Sequence, residues 1–272
     1  MNSEQDYLRG YSMEQFARPS VTTDIAVFAL RTEGLDNFRK DPVRRLSLLL
    51  VRRGEHPFRD CWALPGGFLR MDETVEDCAL RELKEETGVP PAALVYTGVF
   101  SALDRDPRGR IISNAFICVL NEAPPPRAGS DAADARWFDV DFAPAADGTF
   151  SLVLTSGDVT LTARLKEAWT AFGTALHETS GRSALAFDHA AIITSALRQL
   201  REKAAAFELI FDFLPEMFTL NDLQQAQEAI TGVPVAVANF RRKAAPFVKE
   251  TGVMTQGAGH RPAMLFSKKT SS

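Results

Sequence analysis

A chain of 272 residues is long for one compact α/β domain and comfortable for two, so a second small domain is to be sought before any motif is interpreted. With 45% hydrophobic residues, 24% charged residues and a formal net charge of −4, the composition excludes a chain-wide nucleic-acid-binding charge, and any basic surface is local. No uncharged apolar run approaches ~18 residues and residues 1–20 hold no apolar core of signal-peptide length, so a cytoplasmic chain with no membrane partner is expected.

Residues 24–31 and 45–52 are short apolar runs rich in β-formers and read as buried strands, with a polar loop between them. The turn Pro65-Gly66-Gly67 leads into a helix starting near Thr74, and strands are expected over about 95–103, 111–120 and 135–140. Strands, one helix and more strands suggest a mixed sheet flanked by helices, an α/β fold. Segments 150–154 and 159–164 around Ser156-Gly157-Asp158 read as a hairpin, an insertion over about 148–165, followed by helices over about 165–178 and 190–205.

From Phe207 the character changes. Residues 207–214 read as a short apolar helix closed by Pro215, and Thr219 with Asp222 resembles an N-cap pair opening a helix to about Ile230, broken at Gly232-Val233-Pro234. A third helix over about 235–248 carries Asn239, Arg241, Arg242 and Lys243, and two extended pieces frame Gly257-Ala258-Gly259. Three helices and a small hairpin give the order of a winged helix-turn-helix, so the expected domains are 1–204 and 205–272. Cys61, Cys78 and Cys118 lie far apart among apolar neighbours, which favours reduced thiols over disulfides or a zinc site.

The chemistry lies between Gly67 and Val89. Glu82 and Glu86 are four apart and Glu82 and Glu85 three apart, so their carboxylates share a helix face and repel one another unless a cation sits there. Hard divalent ions, Mg²⁺ or Mn²⁺, bridge such carboxylates to phosphate oxygens. Arg81, one residue from Glu82, is expected to point elsewhere and to pair with Glu73 or Glu85. Gly66 and Gly67 allow close backbone approach, so a carbonyl there is a further candidate ligand.

Gly67, Glu73, Arg81, Glu82, Leu83, Glu85, Glu86, Gly88 and Val89 match every position of the Nudix box. At usual residue frequencies the seven single-residue positions coincide by chance on the order of 10⁻⁹ per start point. The segment therefore resembles the Nudix family. The resemblance implies an α/β/α sandwich over about residues 22–141, with metal held by Glu82 and Glu86 and assisted by Glu85. Trp62 to Gly67 and the loop Asp104-Arg105-Asp106-Pro107-Arg108-Gly109 resemble the ADP-ribose branch, which implies phosphate contact by Arg105 or Arg108 and ribose contact by Asp106. Asp106 is also a candidate catalytic base.

From Val235 onward seven basic residues, including Arg261, face one acid, Glu250, a local net charge of +6. Such an excess on a helix and wing suits a phosphate backbone, and Arg241 and Arg242 are placed to reach base edges. Leu214 to Leu223, Asn239 to Lys243 and Gly259 to Pro262 are similar to the winged helix of the Nudix-related transcriptional regulators of NAD metabolism. That resemblance implies a homodimer binding double-stranded operator DNA and reading ADP-ribose or a related nucleoside-diphosphate ligand. Three readings follow: an ADP-ribose-sensing repressor with an intact box, an ADP-ribose pyrophosphatase whose second domain only assembles it, and a sugar-catabolism regulator with another effector.

Overall fold

Strands β1 (Ser20–Glu33) and β2 (Val43–Arg53) pair antiparallel at the centre of the main sheet. The computed structural model describes residues 3–12, 16–33, 43–88, 93–126, 132–170, 173–179, 184–255 and 262–269. Two short strands dock on the central pair, β3 (Trp62–Ala63) on β2 and β4 (Gly66–Phe68) on β1. β6 (Ile111–Leu120) runs parallel to β1 and carries β5 (Leu94–Phe100) at the edge, while β7 (Ala132–Pro144) pairs with β2.

The period of two along β1 divides the core. Ile25, Val27 and Ala29 pack with Ala79 and Leu83 of helix α2 (Val75–Thr87), whereas Ala26, Phe28 and Leu30 join the cluster containing Ile193, Ala196 and Leu200 of helix α3 (His189–Ala205). The sheet thus lies between α2 and α3, as the α/β/α expectation requires. A seven-residue helix, α1 (Glu4–Gly10), precedes it with all side chains exposed.

Residues 165–178 depart from the expected helix. β8 (Phe150–Ser156) extends the main sheet from β7, β9 (Val159–Thr170) pairs with it, and β10 (Gly173–Glu178) follows. Leu161, Ala163 and Leu165 are buried and alternate with exposed neighbours, so the inward-facing period of the strand continues past position 164. Pairing of Leu165 with Phe150, and of all four residues with β10, outweighs the helix propensity of Leu-Lys-Glu-Ala. The expected hairpin insertion is therefore an added wing of the main sheet.

Beyond α3 a 3₁₀ turn (Ile210–Phe213) replaces the expected helix at 207–214. Helix α4 (Leu220–Thr231) opens on a Thr219–Asp222 capping box and ends at Gly232. Helix α5 (Val237–Ala244) is shorter than expected because Val248 is already in β11 (Val248–Met254), which pairs with β12 (Met264–Lys268). Leu223, Ile230, Phe240 and Ala244 belong to the same buried cluster as α3. The core of the winged helix and the α3 face of the sheet are continuous.

Candidate functional site

Helix α2 starts at Thr74, whose hydroxyl accepts from Asp77 N while the Asp77 carboxylate accepts from Thr74 N, and it ends at Gly88. Burying Ala79, Leu83 and Thr87 turns Glu82 and Glu86 toward the β4 loop. A Cβ on Gly67 would lie 2.2 Å from Glu82 Oε1, and one on Gly66 would lie 2.1 Å from Thr23 O, so only glycine allows this approach. Glu86 Oε2 accepts from Gly66 N at 3.1 Å.

Arg81 holds the loop to the helix. Its Nε and Nη2 donate to the two oxygens of Glu73 at 2.9 and 2.6 Å, and Nη2 also donates to Phe68 O at 3.2 Å. These bonds draw the Glu73 carboxyl down to about 2. Contrary to the sequence expectation, Arg81 Nη1 also reaches Glu82 at 2.6 Å, because its long side chain turns back along the helix. Glu85 is half exposed, faces Arg81 and Arg70, and lies away from the cavity.

That cavity, of about 340 Å³, is lined by Asp24, Arg53, Gly66, Gly67, Glu82, Glu86, Arg108 and Phe187 among others. Burial, reinforced by the charges of Glu82 and Asp24, pushes the Glu86 carboxyl up to about 8 despite the Gly66 N–H and Arg53. Glu86, buried beside Glu82 with one backbone N–H bonded to it, is the under-compensated carboxylate of the cavity, and the pair fits a divalent cation held by Glu82 and Glu86. Among the described residues no ready-made group of three metal ligands is gathered, and Glu85 is not placed to complete one. Gly67 O is 3.9 Å from Cys78 Sγ.

The loop after β5 supplies the far wall. Arg105 is buried and engaged by Asp188 at 2.7 and 3.0 Å and by Asp24 at 3.3 Å, so it braces the floor of the cavity where a phosphate contact was expected. Asp106 is buried and bound by Arg108 at 2.7 and 3.0 Å, which occupies the oxygens that a catalytic base needs free. The Arg108 guanidinium lies 5.0 Å from the Phe68 ring and 5.6 Å from that of Phe187. Burial opposes ionisation of Asp24, but His189, Arg105 and Ser113 outweigh it and hold the carboxyl below its usual range.

On α5, Asn239, Arg241, Arg242 and Lys243 are all exposed, while Phe240 and Ala244 anchor the opposite face. Arg242 Nη2 donates to Asn239 Oδ1 at 3.4 Å. Lys249, Lys268 and Lys269 are exposed on the adjoining strands and their end. Arg261 lies outside the described residues.

Residues 35–153 match the NUDIX domain family and residues 210–267 the NrtR DNA-binding winged helix domain. The chain joins a Nudix domain to an NrtR winged helix. An ADPR responsive transcriptional repressor, NtrR, of Acinetobacter baylyi is 28% identical over 97% of this chain and 88% of its own. An ADP-ribose pyrophosphatase of Methanocaldococcus jannaschii is 46% identical over 36% of this chain and 57% of its own. The crystal structure of a MutT/nudix family protein from Enterococcus faecalis superposes with TM-score 0.75 at 27% identity, covering 98% of this chain and 94% of that one. Shewanella oneidensis NrtR complexed with a 27mer DNA superposes with TM-score 0.58 at 25% identity, covering 92% and 93%.

Within this Nudix–NrtR arrangement the sequence reading missed Asp24, Phe187, Asp188 and His189. A carboxylate in the otherwise apolar run of β1 was the available signal for Asp24, since buried charges need partners. Phe187 and its neighbours reach the cavity only because the chain returns to β3, where Ala186 N donates to Trp62 O at 2.8 Å.

Proposed function

We propose that this chain is an ADP-ribose-responsive, DNA-binding transcriptional repressor of NAD metabolism, acting in the cytoplasm as a homodimer, with its domains divided at 204/205. The observation that carries the reading is the fusion of the carboxylate-lined cavity to a winged helix whose α5 exposes Asn239, Arg241, Arg242 and Lys243 together. The similarity to the Acinetobacter repressor along 97% of this chain supports it. Arg241 and Arg242 are placed for phosphates or base edges of double-stranded DNA, with Lys243 and Lys249 adding backbone contacts.

In the cavity, Arg53 and Arg108 supply positive charge for a diphosphate, and Phe68 and Phe187 supply apolar walls for a base or sugar. Mg²⁺ or Mn²⁺, held by Glu82 and Glu86, supplies charge neutralisation at the diphosphate and an activated water. Arg81 holds the Glu82 carboxylate and the β4 loop in place for it.

A second reading, ADP-ribose pyrophosphatase, is favoured by the intact run Glu82, Glu85, Glu86 on a properly capped helix and by the similarity of 46% to an archaeal enzyme of that name. The two readings are separable in one sample. The protein is incubated with ADP-ribose and Mg²⁺, and both AMP release and retention of DNA from its own upstream region are measured. The sensor reading expects DNA binding to change with ADP-ribose; unchanged DNA binding with rapid AMP release replaces it with the enzyme reading.

A further inference from the structure

One helix connects the cavity to the winged helix, and polar contacts mark both of its ends. At the cavity, Gly66 N donates to Glu86, and two residues earlier Leu64 N donates to His189 Nδ1 at 2.9 Å. His189 is the first residue of α3, and its Nε2 stands 3.3 Å from Asp24 Oδ1. Any adjustment of the Gly66–Gly67 loop, when Glu82 and Glu86 take up a cation and Arg53 and Arg108 a diphosphate, therefore bears on the first turn of α3.

Twelve residues on, about 18 Å along the axis, comes Arg201. Its Nε donates to Ile230 O at 3.1 Å and its Nη1 to Phe142 O at 3.0 Å, with the guanidinium 5.4 Å from the Phe142 ring. Phe142 belongs to β7 of the sheet. Ile230 O lies in the last turn of α4, where carbonyls lack intrahelical partners and the helix end favours a cation. One guanidinium thus ties α3, the sheet and α4 together.

The other end of α4 is tied separately, by Arg44 of β2 to Asp222 at 2.7 Å. Between the ties is a cleft of about 530 Å³ lined by Arg44, Asp141, Arg201 and Glu228, so this side of α4 faces open space. The stripe of α3 formed by Ile193, Ala196, Leu197 and Leu200 is buried along the length between His189 and Arg201.

We propose that Arg201 is the positioning residue through which occupancy of the cavity sets the placement of α4, and with it α5, with His189 the input end of the same helix. This deepens the sensor reading and rests on it. The two ends have unequal partners: His189 touches the backbone of the ligand loop, and Arg201 touches the backbone of the DNA-binding domain. Gln227 Nε2 of α4 also donates to Ala204 O of α3 at 3.2 Å, but Arg201 alone of these groups bonds both α4 and the sheet, so the coupling through α3 depends on it.

The test uses the full chain, DNA from its own upstream region, and the non-hydrolysable probe α,β-methylene-ADP-ribose with Mg²⁺. In the unsubstituted protein the probe is expected to change DNA affinity by about 5–150-fold. In Arg201→Met, which keeps the aliphatic stem and loses both donors, that change falls below about twofold, while probe affinity without DNA and AMP release from ADP-ribose stay within about twofold. Arg44→Gln, which cuts the other tie, keeps the full change. If Arg201→Met melts early, Arg201→Lys carries the comparison and is expected to reduce the change. Retention of the full change in a folded Arg201 variant overturns the proposal, and so does an equal loss in Arg44→Gln. A probe without effect on the unsubstituted protein removes the sensor reading and this one together, and is recognised before any substitution is made.

Discussion

Glu86 combines burial, a single backbone donor and two carboxylate neighbours, and its carboxyl stands near 8 against an ordinary value of 4.5. A folded-state pKa raised above the unfolded one gives stability that is full below about 4.5 and lost as pH rises through about 8. The metal-free protein is therefore expected to lose a few kcal/mol over that window, at about 1.4 kcal/mol per pH unit. Glu86→Gln removes the charge, so thermal melts in a chelator should show the variant more stable than the parent at pH 8 and level with it near pH 4.5, while Mn²⁺-dependent AMP release is abolished. A parent protein whose melting temperature does not fall relative to the variant between these pH values would place Glu86 in a wetter setting. Because a cation competes with the proton, Mg²⁺ or Mn²⁺ should stabilise the parent increasingly as pH rises and leave Glu86→Gln unmoved.

Helix α5 presents its basic residues on one face because Phe240 and Ala244, four apart, are buried on the other. Arg241→Ala and Arg242→Ala are each expected to weaken DNA binding without altering ADP-ribose affinity, and to flatten the dependence of log K on log salt by about one if the lost contact is to phosphate. A substitution that instead relaxes base preference at one position identifies a base-edge contact; a variant that changes neither, in a filter-binding titration, removes that arginine from the interface. The elements most legible in the sequence were α2 and α4, since Thr74 with Asp77, Thr219 with Asp222, and the closing Gly88 and Gly232 are local signals. The segment 165–178 was not legible, because Leu165-Lys166-Glu167-Ala168 has helical composition and only its pairing with β8 at Leu165 and with β10 beyond makes it a strand. The box was readable since Glu82, Glu85 and Glu86 lie within one helix and Glu73 just before it. The rest of the cavity was not: Leu64 and His189, hydrogen-bonded to each other, are 125 residues apart, and no local pattern joins them.

At the scale of the molecule, a winged helix reads one half-site, and two-fold pairing doubles both base contacts and charge neutralisation on a near-palindromic operator. Light scattering at micromolar concentration is expected to give twice the chain mass of 29.9 kDa, and a monomer that still binds DNA specifically would overturn the expectation of a dimer. ADP-ribose, if it favours the free form, must weaken DNA affinity by the factor by which DNA weakens its own binding.

The buried cluster that runs from Phe28 through Leu200 to Ile230 and Phe240 crosses the junction of the two domains. Separating them would expose the apolar faces of α3 and α4 to water. The chain should consequently melt in scanning calorimetry as a single peak with equal calorimetric and van't Hoff enthalpies per folding unit. The winged helix expressed alone from residue 205 should be sticky and poorly folded, and grafting it onto an unrelated sensor domain would require rebuilding the face that α3 now covers. The two modules visible along the sequence are thus expected to answer heat, proteases and mutation as one piece.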